Sequence, residues 1–185
     1  LDGDLPHKVE QLLSLHSLPP EALQLEITES MIMSDPERSI ATVMRLSALG
    51  VHLSVDDFGT GYSSLANLRK LPIDELKIDR SFVTPMLEDK SDLIIVKSTI
   101  NLGHELGMRI VAEGVEDERT LMRLATLGAD LAQGYHLSRP LSPKAFDEWM
   151  GQPRILVASA QGEGTSVHEP GSVSPAPDVR VASAS

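Results

Sequence analysis

The stretch from Leu23 to Val55 reads LQLEITESMIMSDPERSIATVMRLSALGVHLSV and contains one complete strand–helix–strand unit. The short apolar runs at 23–28 and 51–55 predict two strands. Between them, Ser34 is expected to cap a helix over 35–49, because Pro36 lies in its first turn and Gly50 just past its end. This stretch therefore predicts two neighbouring parallel strands joined by a helix.

The same alternation continues to Met150. Strands are predicted at 75–78, 109–112 and 131–133, and helices at 65–68, 91–106, 117–127 and 142–150, with a Gly-rich loop at 57–64. Strands that alternate with helices indicate a parallel sheet. The spacing suits a TIM-like (β/α) barrel, which uses about 30 residues per unit. An open doubly wound sheet is the alternative, but no glycine fingerprint follows the first strand.

Composition limits the function classes. The chain has 185 residues, 41% of them hydrophobic, and a formal net charge of -11. Such an acidic chain is not expected to bind duplex nucleic acid or an anionic membrane through a basic patch. There is no cysteine, so thiolate metal sites and disulfides are excluded, and the six histidines show no ligand spacing. Residues 1–150 are predicted to form the folded body, and residues 151–185, rich in Ser, Ala, Gly and Pro, a disordered tail.

Polar side chains recur at or near the carboxyl ends of the predicted strands. In chain order they are Glu26 with Glu29 just beyond it, Asp56 and Asp57, Lys77, Glu113 and Gln133. In a barrel of this type the carboxyl ends of the strands form the face that collects catalytic groups. Each residue alone has a simpler explanation, such as a turn or cap for the Asp pair, or pairing of Lys77 with Asp79. Their recurrence on successive strands favours a shared site.

The predicted chemistry of that site is metal-dependent. Clustered carboxylates repel one another, and one of them takes up a proton unless a cation lies among them. Oxygen ligands of this kind suit Mg²⁺ or Mn²⁺. Two such ions about 4 Å apart form a clamp for phosphodiester hydrolysis. A lysine in the same mouth could orient the attacking water or neutralise charge on the phosphate.

Five longer strings resemble consecutive motifs of the EAL domain, a family of cyclic-di-GMP phosphodiesterases. They are LEITES (25–30), DDFGTGYSSL (56–65), LPIDELKIDRSFV (71–83), IVAEGVE (110–116) and QGYHLSRPL (133–141). The resemblance covers residues 1–150 and is far more specific than one short pattern. It implies a TIM-like barrel that hydrolyses cyclic di-GMP to linear pGpG with Mg²⁺ or Mn²⁺, two ions in all.

The resemblance also implies roles for individual residues. Glu26, Asp56, Asp57 and Glu113 resemble the metal ligands, and Lys77 the residue that contacts the catalytic water. Glu29 resembles the glutamate that holds the following loop, and Glu116 and Gln133 resemble residues on the substrate side or behind the ligands. The loop itself, made of Phe58, Gly59, Thr60, Gly61, Tyr62, Ser63 and Ser64, resembles the segment that links metal binding to homodimer formation.

The family signature is not expected in the part of the domain that this chain covers. The string Glu21-Ala22-Leu23 is interpreted as a coincidence, because it leads directly into the LEITES strand. We therefore expect this chain to be the C-terminal part of the domain, with roughly the first three strands missing. We also expect the isolated chain to fold poorly or to oligomerise, and to show no turnover. The resemblance further implies a cytoplasmic location, although the parent protein could be membrane-anchored and carry GGDEF or sensory modules. The alternative function is a catalytically inactive receptor for cyclic di-GMP or an interaction scaffold.

Overall fold

A computed structural model describes residues 1–61 and 68–151, with the backbone alone for Met33. Seven α-helices in that part are α1 (Leu5–Leu15), α2 (Glu29–Ser34), α3 (Pro36–Ala48), α4 (Arg80–Val83), α5 (Lys90–Glu105), α6 (Glu118–Leu127) and α7 (Pro143–Met150). The strands are β1 (Gln24–Thr28), β2 (His52–Phe58), β3 (Glu75–Ile78), β4 (Arg109–Ala112) and β5 (Leu131–Ala132), and a 3₁₀ helix, Pro20–Ala22, precedes β1.

The five strands form one parallel sheet in the order β1-β2-β3-β4-β5. Each strand therefore lies beside the next one in the sequence, as in a TIM barrel. A doubly wound sheet reverses its strand order at a switch point, and no reversal occurs among the described strands. The TIM-like prediction is confirmed, and the doubly wound alternative is wrong.

The two faces of the sheet differ in polarity because successive side chains of a strand point to opposite sides. One face packs against the helices and is apolar, with Leu53, Val55, Leu76, Ile78, Ile110 and Ala112 in one cluster with Val43, Leu46, Val96 and Ile100. The opposite face carries polar residues at alternate positions, among them Glu26, Ser54, Asp56, Glu75 and Lys77. Burial of the apolar face contributes favourable free energy of folding, and the polar face can hold the side chains of a functional site.

The prediction for the start of the first long helix is wrong by one residue. Ser34 ends α2, a helix that the sequence pattern did not indicate, and the cap of α3 is Asp35. The Asp35 carboxylate accepts a hydrogen bond of 3.3 Å from the backbone N–H of Arg38. A carboxylate at this position satisfies a free N–H of the first turn, as a serine would.

The second strand is longer than predicted. Phe58 pairs with Ile78 beyond a register shift, so β2 includes Asp56, Asp57 and Phe58. Phe58 therefore belongs to the strand and not to the predicted loop. Asp57 has φ +55°, an uncommon backbone conformation for a residue with a side chain, which Asp tolerates better than most.

Two further predictions fall partly or wholly outside the described residues. The short helix over 65–68 is described only at Leu68, and the predicted tail only at Gly151. Helix α4 was not predicted, because four residues are too few for a helical pattern, and the 11-residue α1 was also missed. None of the described helices combines the length and hydrophobicity that a bilayer-spanning segment needs.

Candidate active site

Lys77 lies at the centre of the polar face, where β3 approaches its carboxyl end. Its side chain is only 4% exposed, and its Nζ lies 2.7 Å from Glu113 Oε1, 3.0 Å from Glu26 Oε1 and 3.2 Å from Asp56 Oδ1. The three partners come from β1, from β2 and from the residue directly after β4. One ammonium thus contacts carboxylates from three other parts of the sheet, and not Asp79, the partner that the simpler explanation of Lys77 would give.

A second set of contacts brings in the remaining acid. Carboxylate oxygens of Asp56, Asp57 and Glu113 lie within 4.8 Å of one another. The backbone N–H of Asp57 also donates to Asp56 Oδ1 at 3.0 Å, which fixes the first carboxylate against the strand. The structure therefore brings together all four predicted metal ligands and Lys77.

The charges in this cluster do not balance, because four carboxylates face one ammonium. Burial opposes the charge on Lys77, but hydrogen bonds to Glu113 and Glu26 outweigh it and raise the pKa of Lys77 above its ordinary value. Burial raises the pKa of Glu113, and Lys77 offsets only part of that effect. Desolvation, followed by the charges of Asp56 and Asp79, raises the pKa of Asp57 as well. The site is therefore short of positive charge.

Glu29, at the start of α2, supports the turn that follows β2. Its side chain is buried, with 3% exposure, and its Oε2 accepts a 3.1 Å hydrogen bond from the N–H of Gly59. Gly61 lies so close that a Cβ there would come within 2.8 Å of Glu29 Oε1. Gly59 has φ +98°, a conformation that favours glycine. Glu29 thus contacts the turn, whereas Tyr62, Ser63 and Ser64 lie outside the described residues.

The last two predicted residues are placed differently. The N–H of Gln133 donates to the carbonyl of Ala112 at 2.8 Å, and its carbonyl accepts from Val115 at 3.1 Å, so this residue is fixed beside the end of β4. Its Oε1 is buried and has no hydrogen-bond partner within the described ranges. Glu116 is exposed, and no contact links it to the Lys77 cluster in the part of the chain described.

Comparison with known proteins shows the family to which the chain with this site belongs. The profile of the EAL domain matches residues 1–140. The chain belongs to the EAL domain family. Curated relatives include the bifunctional diguanylate cyclase/cyclic di-GMP phosphodiesterase MucR of Pseudomonas aeruginosa, 47% identical over 74% of this chain and 20% of MucR. The cyclic di-GMP phosphodiesterase NbdA of the same organism is 42% identical over 84% of this chain and 20% of NbdA.

Solved EAL structures share the fold. The MucR phosphodiesterase in complex with c-di-GMP superposes with a TM-score of 0.75 at 45% identity, and covers 77% of this chain and 58% of its own. The EAL domain of Mycobacterium smegmatis DcpA gives a TM-score of 0.77 at 38% identity, over 84% of this chain and 70% of its own. This EAL chain therefore spans about a fifth of the length of MucR and NbdA, and little more than half of the solved MucR chain.

Asp79, next to the Lys77 cluster, affects the electrostatics of the site but was not among the residues predicted for it. Asp79 caps α4 through a 3.0 Å hydrogen bond from the N–H of Ser81, and the Ser81 hydroxyl also donates to it. Its charge contributes to the raised pKa of Asp57. The sequence feature that could have identified Asp79 is its position two residues after Lys77, directly after the end of β3.

The donor set of this EAL site fits divalent metal ions. Every candidate ligand is a carboxylate oxygen, which hard cations prefer. The raised pKa values of Asp57 and Glu113 show that added positive charge would stabilise the ionised carboxylates. A carboxylate cluster able to hold a metal ion is thus part of the structure, at the carboxyl ends of the strands.

Proposed function

We propose that this EAL domain is part of a phosphodiesterase that hydrolyses cyclic di-GMP to linear pGpG with two Mg²⁺ or Mn²⁺ ions. The observation that carries the proposal is the buried Lys77 surrounded by Glu26, Asp56 and Glu113. A further support is that the 45% identical MucR phosphodiesterase was solved in complex with c-di-GMP.

The proposed division of labour follows from the chemistry of each side chain. Glu26, Asp56, Asp57 and Glu113 would hold the metal ions, which when bound supply an activated water and stabilise negative charge on the phosphate. The ammonium of Lys77 carries donors alone and already donates to three carboxylates, so Lys77 would orient the water or the phosphate by donating hydrogen bonds.

Other predicted residues act around this centre. Glu29 holds the turn at Gly59 and so fixes the chain that leaves Asp57. We propose that Gln133 and Glu116 lie on the substrate side or behind the metal ligands. The Oε1 of Gln133 is buried and without a partner among the described residues. We also propose that the segment from Phe58 to Ser64 contributes to a homodimer, that the domain works in the cytoplasm, and that a longer protein could carry GGDEF or sensory modules.

The test combines binding and turnover. The purified chain and, where it is part of a longer protein, that longer protein are incubated with Mn²⁺ and cyclic di-GMP. Linear product is followed by chromatography, and nucleotide binding is measured by calorimetry. The Lys77→Ala variant is the control. Product that is lost in the control supports the phosphodiesterase.

Other outcomes have equally clear meanings. Binding without product supports the alternative function, an inactive receptor or scaffold. A chain that binds neither metal nor nucleotide contradicts the proposal.

A further inference from the structure

A second polar layer lies on the same face of the sheet, one step below the Lys77 cluster. Its centre is Glu75, whose side chain is 6% exposed. Glu75 Oε1 accepts hydrogen bonds from Gln24 Nε2 at 2.6 Å and from the hydroxyl of Ser54 at 3.3 Å. Its Oε2 lies 3.5 Å from Arg109 Nη2. A buried carboxylate needs such partners, because burying its charge unpaired is strongly unfavourable.

The two layers use the same strands with opposite charge. Glu75 and Lys77 lie two residues apart on β3, and their partners include Gln24 and Glu26 on β1. On β2 the partners are Ser54 below and Asp56 above. In the upper layer a cation is surrounded by acids, and in the lower layer an acid is surrounded by donors. The Gln24–Glu75 bond also passes across β2, so it links two strands that are not paired in the sheet.

The contacts of the two layers would respond differently to a bound metal ion. The three partners of Lys77 are also candidate metal ligands, so their carboxylates would divide their oxygens between Lys77 and the ion. No partner of Glu75 is a candidate ligand, so the lower layer can stay the same in both states. This matters most for β1, which pairs with β2 alone among the described strands and carries Glu26.

We infer that Glu75 is a positioning residue for the candidate metal site. Through Gln24 and Arg109 it holds β1 and β4 at the separation at which Glu26 and Glu113 both reach Lys77, and in turn the metal ions. The part of this inference that concerns metal ions rests on the proposed function. The part that concerns Lys77 does not.

Two variants separate geometry from charge. Gln24 contacts Oε1 of Glu75 and Arg109 contacts Oε2, so in Glu75→Gln the single amide oxygen takes only one of these two places and the NH2 group faces the other donor. Combining Glu75→Gln with Gln24→Glu exchanges the amide and the carboxylate between positions 24 and 75. The amide at position 75 then donates to the carboxylate at position 24 and still accepts from Arg109. Glu88→Gln removes the same charge from an exposed position outside the sheet and serves as the matched control.

The first readout is hydrogen exchange of the Lys77 ammonium, measured by nitrogen-15 NMR in the metal-free chain. The ammonium signal that disappears in Lys77→Met is assigned to Lys77. We expect exchange about fivefold faster in Glu75→Gln, as for the loss of one hydrogen bond of the link. The second readout is Mn²⁺ affinity by calorimetry, which should fall about tenfold, the low end of the effect of an outer partner of a ligand. The reversed pair should restore both values to within about twofold of the original chain.

Several results would overturn the inference. Unchanged Lys77 exchange in Glu75→Gln, with only a lower melting temperature, would make Glu75 a residue of stability alone. A reversed pair that folds but fails to restore Lys77 exchange would do the same, and this variant decides the matter if the single variant does not fold. If the original chain binds no Mn²⁺, the proposed function fails, while the exchange measurement still tests the link between Glu75 and Lys77.

Discussion

Gly134 is the residue with the tightest backbone contact near the candidate site. A Cβ at this position would come within 2.2 Å of the carbonyl oxygen and 2.4 Å of the nitrogen of Val115. The backbone around Gln133 and the backbone that follows Glu113 therefore lie in direct contact, and the hydrogen bond from Val115 N to Gln133 O depends on that approach. No side chain can be accommodated, because the obstructing atoms belong to the main chain.

We expect Gly134→Ala to lower the free energy of unfolding by more than about 2 kcal/mol, because strain from overpacking is in the range of 1 to 3 kcal/mol. Gly107→Ala is the control. Gly107 has φ +77°, but a Cβ there would have no neighbour within 4 Å among the described residues, so the penalty comes from the backbone conformation. Urea unfolding followed by circular dichroism gives both values. A larger loss in Gly107→Ala than in Gly134→Ala would contradict the close-approach argument.

Two strands of the sheet begin with the same carboxylate link. Asp74, directly before β3, accepts a 2.8 Å hydrogen bond from the N–H of Leu53, and its own N–H donates to the Leu53 carbonyl at 3.0 Å. Asp130, directly before β5, makes the same pair of bonds with Ile110, at 2.7 and 3.0 Å. Each aspartate thus satisfies a backbone group at the start of the neighbouring strand and fixes the register there.

We expect Asp130→Ala to reduce stability by about 1 to 2 kcal/mol, because the N–H of the fully buried Ile110 loses its partner. Asp92→Ala, which removes an acid from the first turn of α5, should change stability by less than about 1 kcal/mol. Chemical denaturation of the two variants makes the comparison. Equal losses would show that the link at Asp130 has no special part in holding β5.

The distribution of charge across the whole molecule favours divalent cations. The chain carries 27 acidic and 16 Lys or Arg residues, and four of the acids converge on one edge of the sheet. Self-repulsion within such a chain opposes the compact state. Cations that bind only the folded form therefore stabilise it by mass action.

We expect Mn²⁺ at about 100 times its dissociation constant to stabilise the fold by about 2.7 kcal/mol. For a chain of this size that corresponds to a rise of roughly 5 to 10 °C in melting temperature. Asp57→Asn removes one carboxylate of the cluster and should lose most of the rise, whereas Asp92→Asn on α5 should retain it. Differential scanning calorimetry measures all three. The same rise in the Asp57 variant would mean that Mn²⁺ acts through general surface charge.

The sequence by itself determined the parallel sheet and the strand-end acids with Lys77, because strand period, helix-stopping glycines and strand-end residues are local features that can be read in order. The EAL family followed from the resemblance of five long motifs, and the family profile matches residues 1–140. Only the tertiary structure decided which residues meet. Lys77 pairs with Glu26, Asp56 and Glu113 and not with its near neighbour Asp79, since the strands place side chains far apart in sequence on one face. Register between strands and the packing of α2 likewise decided three other features. They are the extension of β2 to Phe58, the cap at Asp35, and the polar layer around Glu75. Pairing energies across a sheet come from residues that the local pattern does not contain, so no local reading could assign them.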